Sequence, residues 1–344
     1  MVDLLKTLCK VPGVTGFEEE AQDIVMVELQ AVCDRVWRDR LGNVIGLKKA
    51  SSGHGNCRKV MYAAHIDEIG FMVNHIDPQG FIRFSPIGGF DPCTLMAQRV
   101  VVHGRKKLHG VIAPRIPSAL KQVDLHQVPE LRDLYIDVGL PREEVEASVG
   151  IGDAISLDQD LRYLNDKVIT GRNFDDRLGV YCMLEAMKSL GQTQVDVYAV
   201  STVQEELGVR GAPAAVYAIE PDLGIAIDGS LAWDVPTIAG HEKQCHMGQG
   251  TGIYMMDGLT LGSPRLVRFL IELCQRKGIP FQRNIGGGTD ASAMQRTKLG
   301  ALSTTIGAPT RYMHSTVQLA HVDDLAATVN LLRAFAEHAH ELGG

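Results

Sequence analysis

The sequence predicts an α/β protein in which helices cover a mostly parallel sheet and a small β-barrel is inserted. In the first and last parts of the chain, apolar runs of strand length alternate with longer stretches of helical periodicity. From about residue 69, short β-branched segments separated by Gly, Pro and Asp indicate a barrel instead. We therefore expect a discontinuous α/β domain of residues 1–68 and 165–344, and a barrel domain of residues 69–164.

The segment before the barrel contains one predicted helix and three predicted strands. Thr15 and Glu18 match a capping box that opens a helix over residues 17–33. The last strand is a buried run that ends at His65. The three predicted strands are residues 34–39, 43–48 and 59–64.

The rest of the chain supplies the barrel and the remaining layers of the α/β domain. In the barrel, strand-like segments begin at Gly70, Gly80, Arg99, Leu108 and Leu134, and residues 140–147 form a short helix. After residue 165, helices are predicted at 176–190, 211–219, 264–278 and 323–340, and strands at 194–203, 223–228 and 301–306. The carboxyl ends of parallel strands meet at one edge of a sheet, where open α/β sheets bind their ligands.

Composition excludes several classes of partner. The net charge of −7 over 344 residues argues against nucleic acid and anionic membranes. Apolar runs stay shorter than the roughly 18 residues that a membrane helix needs. The start of the sequence lacks a basic region followed by an apolar signal core. Seven scattered cysteines without a Cys-x-x-Cys pair indicate reduced thiols, so we expect a cytoplasmic protein.

Five polar segments follow or interrupt the apolar runs, and together they carry the donors of a two-metal centre. Two imidazoles and three carboxylates hold a pair of divalent cations if one carboxylate bridges them, and Asp175 is the candidate bridge. Taken singly, each segment also fits a structural role, such as a core histidine, a helix cap or an acidic loop. The candidate metal ligands are His65, Asp175, Glu206, Asp228 and His314.

Two further acidic residues are candidate catalytic residues. Asp67 lies two positions after His65, so both side chains point the same way on an extended chain, and Asp67 can hydrogen-bond the second ring nitrogen. Glu205 precedes Glu206, and adjacent side chains diverge, which leaves Glu205 free to accept a proton from a metal-bound water.

A glycine-rich loop, Gly286-Gly-Gly-Thr-Asp290, also lies in the second half of the chain. It lacks the Lys-Ser/Thr ending of a nucleotide-binding loop. We interpret it as a flexible loop beside the site, with Asp290 capping the following helix.

These segments, with Gly287-Gly-Thr-Asp-Ala291 and Arg311-Tyr-Met-His-Ser315, resemble the tetrahedral aminopeptidases. This family contains glutamyl and deblocking aminopeptidases once named endoglucanases, and the resemblance covers nearly the whole chain. It implies an α/β catalytic domain with an inserted barrel that serves dimerisation or covers the site. It also implies homo-oligomers, either dimers or hollow dodecamers.

The resemblance assigns a role to each candidate residue. In the family, the pattern matching His65, Asp175 and Asp228 holds one cation. The pattern matching Asp175, Glu206 and His314 holds the other. Glu205 matches the general base, and Asp67 matches the residue that orients the first histidine. One departure is Ala113–Leu120, which stands where the family often has Lys-Pro-Pro-His, and which bears on assembly or pocket access.

The resulting hypothesis is a dinuclear metal-dependent aminopeptidase that hydrolyses the N-terminal residue from peptides through a metal-bridged hydroxide. The cations are Zn²⁺ or Co²⁺, and Mn²⁺ suits the same mixed nitrogen and oxygen donors. The alternatives are another metal-dependent amide hydrolase (a deacylase or a carboxypeptidase), a glycosidase that uses two carboxylates without metal, and a non-catalytic assembly protein.

Overall fold

The protein contains a mixed β-sheet covered by helices and a closed β-barrel. The computed structural model describes residues 2–51, 57–114 and 130–342. The strands are β1 Arg35–Arg38, β2 Val44–Lys48, β3 Lys59–His65, β4 Gly70–Ile76, β5 Ile82–Ile87, β6 Arg99–His103, β7 Lys107–Pro114, β8 Leu134–Asp137, β9 Ala154–Leu157, β10 Arg162–Tyr163, β11 Val168–Gly171, β12 Asp196–Thr202, β13 Leu223–Ile227, β14 Ser230–Leu231, β15 Thr251–Met256, β16 Phe281–Ile285, β17 Leu302–Gly307, β18 Pro309–Arg311 and β19 Gln318–His321. The helices are α1 Asp3–Lys10, α2 Glu19–Gln30, α3 Arg142–Ser148, α4 Phe174–Ser189, α5 Gly211–Ile219, α6 Pro264–Lys277, α7 Ala291–Arg296 and α8 Val322–His338.

The largest sheet has the strand order β1-β2-β12-β3-β13-β17-β15-β16. Its central strands β12, β3, β13 and β17 run parallel to one another, and β15 is parallel to β16. The pairs β1-β2, β2-β12 and β17-β15 are antiparallel. The carboxyl ends of β12, β3 and β13 therefore meet at one edge, where His65 lies beside Thr202 in register.

Helices cover both faces of this sheet. Alternate residues of each strand point to opposite faces, so one strand contacts helices on both sides. On β3, Tyr62 belongs to the core cluster that includes α4 and α8, whereas Met61 belongs to the cluster that includes α5 and α7. Both side chains are almost fully buried. A strand that is apolar on both faces is typical of a sheet covered on both sides, as the sequence predicted.

The second unit is a closed barrel with the strand order β4-β5-β8-β7-β6-β9. Its interior is a separate hydrophobic cluster that includes Phe71, Ile82, Val100 and Ile136. The predicted fold class, an α/β protein with an inserted barrel, is thus confirmed. A smaller sheet with the order β10-β11-β19-β18-β14 was not predicted.

Two local predictions need correction, and two strands were missed. Thr15 does not cap a helix: its hydroxyl donates to Asp67 at 2.8 Å, and α2 begins only at Glu19. The Asp290 side chain likewise makes no capping hydrogen bond to α7, because its Oδ2 atom accepts from the Thr202 hydroxyl at 2.6 Å. Strands β15 and β16 were missed. Buried tertiary partners outweighed local signals in the first two cases.

Two other sequence-based expectations concern the barrel segment and membranes. The departure at Ala113–Leu120 lies outside the described residues from position 115 onward. Within residues 2–51, 57–114 and 130–342, none of the helices combines the length and apolar character needed to span a bilayer.

Candidate active site

The polar segments singled out in the sequence converge at the carboxyl edge of the sheet. His65 ends β3, Asp228 follows β13, and Glu205 and Glu206 lie in the loop after β12. Asp175 lies at the start of α4. Together with His314, which follows β18, these side chains line one cavity of about 320 Å³. The structure thus brings together every predicted metal ligand and the predicted base.

Asp175 lies between two imidazole rings. Its Oδ1 atom is 3.2 Å from Nε2 of His65, and its Oδ2 atom is 3.3 Å from Nε2 of His314. Nδ1 of His65 lies 3.1 Å from the carbonyl oxygen of Asp67. Nδ1 of His314 lies 3.0 Å from the carbonyl oxygen of Gly89, in the barrel segment.

These contacts determine where a cation fits. A carbonyl oxygen only accepts, so Nδ1 carries the hydrogen in both rings, and in a neutral ring the Nε2 lone pair faces Asp175. A lone pair and a carboxylate oxygen at this distance repel each other unless a proton or a metal ion lies between them. Each imidazole–carboxylate contact therefore suits a cation placed between its two groups.

Further carboxylates complete two groups of donors. One ligand atom from each of His65, Asp175 and Glu206 lies within 4.8 Å of the others, and the same holds for His65, Asp176 and Asp228. Nε2 of His314 is also 3.5 Å from Oε2 of Glu206. Asp176 was not among the predicted ligands.

Several acidic side chains are buried close together in this cluster, and this shifts their pKa values. Burial and the charge of Asp175 raise the pKa of Glu206 to about 8. Burial and neighbouring carboxylates also raise the pKa of Glu205 and of Asp228 well above their usual values. The hydrogen bond to Asp175 raises the pKa of His314 to about 9. A bound cation would stabilise the charged form of each carboxylate.

Asp67 connects the first histidine to the glutamate loop. It is fully buried, and its Oδ1 atom lies 3.4 Å from Nδ1 of His65. The same carboxylate accepts hydrogen bonds from the backbone N–H groups of Glu205 at 3.0 Å and Glu206 at 3.2 Å. Gln204, just before them, has a left-handed φ of 56°, which only tertiary contacts maintain in a non-glycine residue.

The start of α4 is anchored beneath the cluster. Asp175 and Asp176 are joined by a cis peptide bond, and Oδ1 of Asp176 accepts the N–H of Gly179 at 3.0 Å. Arg177 is fully buried and donates to the carbonyl oxygens of Ile66, at 2.7 Å, and Leu8.

One wall of the cavity has no charge: its glycine loop was predicted to lie beside the site, whereas Leu231 and Tyr254 were not predicted there. Leu231, Tyr254 and Met313 line it together with Gly287, Gly288 and Thr289 of the glycine loop. Strand β15, which carries Tyr254, follows a stretch rich in glycine and histidine without apolar periodicity. A strand signal was therefore weak there.

Comparison with known proteins agrees with this fold and site. Residues 42–331 match the family model described as M42 glutamyl aminopeptidase. A lysyl aminopeptidase of Pyrococcus furiosus is 36% identical over 98% of this chain and 97% of its own length. An aminopeptidase of Desulfurococcus kamchatkensis is 40% identical, with a TM-score of 0.92 over 98% of this chain and 94% of that one.

A third neighbour is the TET1 peptidase of Pyrococcus horikoshii, described as assembling into a tetrahedron or a large octahedral shell. It is 32% identical, with a TM-score of 0.85 over 97% of this chain and 98% of that one. Fold, site and relatives define the class: this protein is a peptide hydrolase, specifically an aminopeptidase. The chain belongs to the M42 glutamyl aminopeptidase family. The resemblance drawn from the sequence is thereby confirmed.

Proposed function

We propose that this aminopeptidase is a dinuclear metalloenzyme in which Glu205 is the general base. The observation that carries the proposal is the position of Asp175, whose two oxygens each face the Nε2 atom of a different histidine. Within the described part of the chain, Oδ2 of Asp176 is also buried without a hydrogen-bond partner. This set of nitrogen and oxygen donors suits divalent cations, whereas without a cation the buried carboxylates would lack compensating charge.

In this proposal His65, Asp175 and Asp228 hold one cation, and Asp175, Glu206 and His314 hold the other. Zinc, cobalt and manganese all suit these nitrogen and oxygen donors. When bound, the cations supply Lewis-acid activation of the peptide carbonyl and of the attacking water.

Glu205 accepts the proton of the attacking water and returns it to the leaving amine. Asp67 orients this base, because the Asp67 carboxylate accepts the Glu205 backbone N–H. The negatively charged site also attracts the free ammonium group of the substrate, which favours removal of an N-terminal residue over a C-terminal one.

The test is a Glu205→Gln variant with the metal content measured alongside activity. We expect both metals to be retained and turnover of a free-amino peptide to fall by roughly 10²- to 10⁴-fold. Glu272→Gln removes an exposed carboxylate from α6 and is the matched control. Near-wild-type turnover of Glu205→Gln would refute the assigned base. Full activity after exhaustive chelation would refute the metal requirement.

We also propose a homo-oligomer of dimers, up to a dodecamer, with residues 1–68 and 165–344 as the catalytic domain. Residues 69–164 would serve as the dimerisation or lid domain. The assembly described for the Pyrococcus horikoshii neighbour supports this proposal. Light scattering of the purified protein measures the subunit number, and a monomer would contradict the assembly.

We also propose a cytoplasmic location. It is consistent with the free thiols of Cys9, Cys33, Cys93, Cys182, Cys245 and Cys274.

A further inference from the structure

The cavity has two chemically different sides. Among the described residues that line it, every side chain that carries charge belongs to the cluster of proposed metal ligands or is Glu205. The remaining lining residues are glycines and uncharged side chains, and they form its uncharged side. Two of them adjoin the cluster along the chain, because Gly229 follows Asp228 and Met313 precedes His314.

The glycines of this region lie next to apolar side chains. A Cβ atom on Gly229 would lie 2.9 Å from Cε of Met313, and one on Gly286 would lie 3.9 Å from Cδ1 of Leu231. A Cβ atom on Gly288 would lie 3.4 Å from Cδ1 of Leu259. Apolar side chains therefore surround the glycine loop.

The side-chain hydroxyls on this side already have partners. The hydroxyl of Tyr254 donates to the carbonyl oxygen of Gly229 at 2.7 Å, and the tyrosine is 2% exposed. The hydroxyl of Thr289 is 2.7 Å from that of Thr305. A charged side chain placed here would lose its water without gaining an ionic partner.

Covalent geometry places the first side chain of a substrate against this wall. The Cα atom of the N-terminal residue is bonded both to the ammonium-bearing nitrogen and to the carbonyl carbon that is attacked. Both of these groups contact the charged cluster in the proposed function. The side chain on that Cα therefore extends toward the adjoining uncharged wall.

We propose that the enzyme prefers peptides whose N-terminal residue is apolar and of the size of leucine or methionine, and that Leu231 and Met313 determine this preference. The inference rests on the proposed function. It distinguishes this chain from both activities named among its relatives, because acidic glutamyl and basic lysyl side chains would each require an opposite charge in the wall.

The experiment compares kcat/KM for aminoacyl-aminomethylcoumarin substrates of leucine, methionine, glutamate and lysine with the metal-loaded full chain. We expect the leucine and methionine substrates to exceed the other two by roughly tenfold or more. Leu231→Arg should raise the glutamate-to-leucine ratio of kcat/KM by roughly tenfold or more, because it places a cation in the wall. Leu299→Arg makes the same change at a leucine that is 97% exposed and lines no part of this cavity, and it should leave the ratio unchanged.

A second measurement needs no variant. Free leucine should inhibit the wild-type enzyme at concentrations roughly tenfold or more below those of free glutamate or free lysine, because it occupies the same wall without turnover. Equal inhibition by the three amino acids would overturn the proposal even if Leu231→Arg failed to fold. A wild-type preference for glutamate or lysine, or equal ratios in Leu231→Arg and Leu299→Arg, would also overturn it while leaving the proposed function intact. If the enzyme hydrolysed none of the four substrates and no other free-amino peptide, the proposed function and this inference would both be refuted.

Discussion

Asp67 fixes the backbone of Glu205 through a hydrogen bond of 3.0 Å from the Glu205 N–H to Oδ1 of the aspartate. The same carboxylate lies 3.4 Å from Nδ1 of His65 and accepts the Thr15 hydroxyl at 2.8 Å. One buried side chain thus connects a proposed metal ligand, the proposed base and the segment before α2. We propose that its role in the site is positioning rather than chemistry.

The first prediction follows from this arrangement and concerns Asp67→Asn. The amide keeps one acceptor oxygen and replaces the other with an N–H donor, so either Glu205 and the His65 ring or Glu206 and Thr15 would lose their acceptor. We expect metal affinity to fall roughly 10- to 100-fold, which calorimetric titration of the metal-free protein with zinc measures.

The matched control for Asp67 is Thr15→Val, which removes a single hydrogen bond to the same carboxylate. It should lower the free energy of unfolding by about 1 kcal/mol and leave zinc affinity close to that of the wild type. Wild-type zinc affinity in Asp67→Asn would show that the aspartate does not position the site.

The second prediction concerns Gly307, at the end of β17. A Cβ atom there would lie 1.6 Å from the carbonyl oxygen of Asp228, so alanine would force β13 and β17 apart at the proposed ligand. We expect Gly307→Ala to lower the free energy of unfolding by about 3 kcal/mol or more, and to weaken zinc binding as well. Urea unfolding and zinc titration measure the two effects.

Gly150→Ala is the control for this substitution, because a Cβ atom at Gly150 has no heavy atom within 4 Å. Its free energy of unfolding should stay close to that of the wild type. Equal stability of Gly307→Ala and Gly150→Ala would contradict the close approach of Gly307 to Asp228.

The sequence predicted the polar side of the site better than the apolar side. His65 and Asp228 could be found because each polar residue interrupts or ends an apolar run that reads as a buried strand. Leu231 and Tyr254 could not, because an apolar residue near a strand has no local feature that separates a pocket wall from a core. Their role depends on which strands become neighbours in the folded sheet.

The failed prediction at Thr15 has the same physical origin. Its spacing to Glu18 is that of a capping box, but both side chains have tertiary partners instead. Thr15 donates to Asp67, and Glu18 accepts the N–H of Gln204, more than 180 positions away along the chain. The spacing of two residues along the sequence does not reveal a contact with a third residue that only folding brings near.

The third prediction concerns the pH dependence of stability and Glu18. This glutamate is 6% exposed, and burial raises its pKa from 4.5 to about 7. The folded state therefore binds a proton more tightly than the unfolded state does, so this contribution is fully present below pH 4.5 and is lost as pH rises to about 7. Its size is at most about 3 kcal/mol.

Glu18→Gln removes the titration and can keep both hydrogen bonds, because Oε1 accepts from Gly16 at 2.7 Å and from Gln204 at 3.2 Å. In the metal-free protein, the variant should lose less stability than the wild type between pH 4.5 and about 7. Urea unfolding across this range measures the difference, and exposed Glu19→Gln is the control. Parallel stability curves for Glu18→Gln and the wild type would contradict the raised pKa.

The fourth prediction concerns metal-induced stabilisation and Asp175. A ligand that binds only the folded state stabilises it, by about 2.7 kcal/mol at a free concentration one hundred times its dissociation constant. Zinc added to the metal-free wild type should therefore raise its unfolding temperature. Asp175→Asn should remove most of this increase, because an amide provides neither the charge nor the second anionic oxygen that two cations would share.

The control for Asp175 is Asp160→Asn, which neutralises an exposed aspartate outside the cavity and should retain the full zinc-induced increase. Elemental analysis after desalting gives an independent count, with two metal ions per chain expected in the control and fewer in Asp175→Asn. Two tightly held ions in Asp175→Asn would contradict a bridging role, because removing a shared ligand weakens both sites at once.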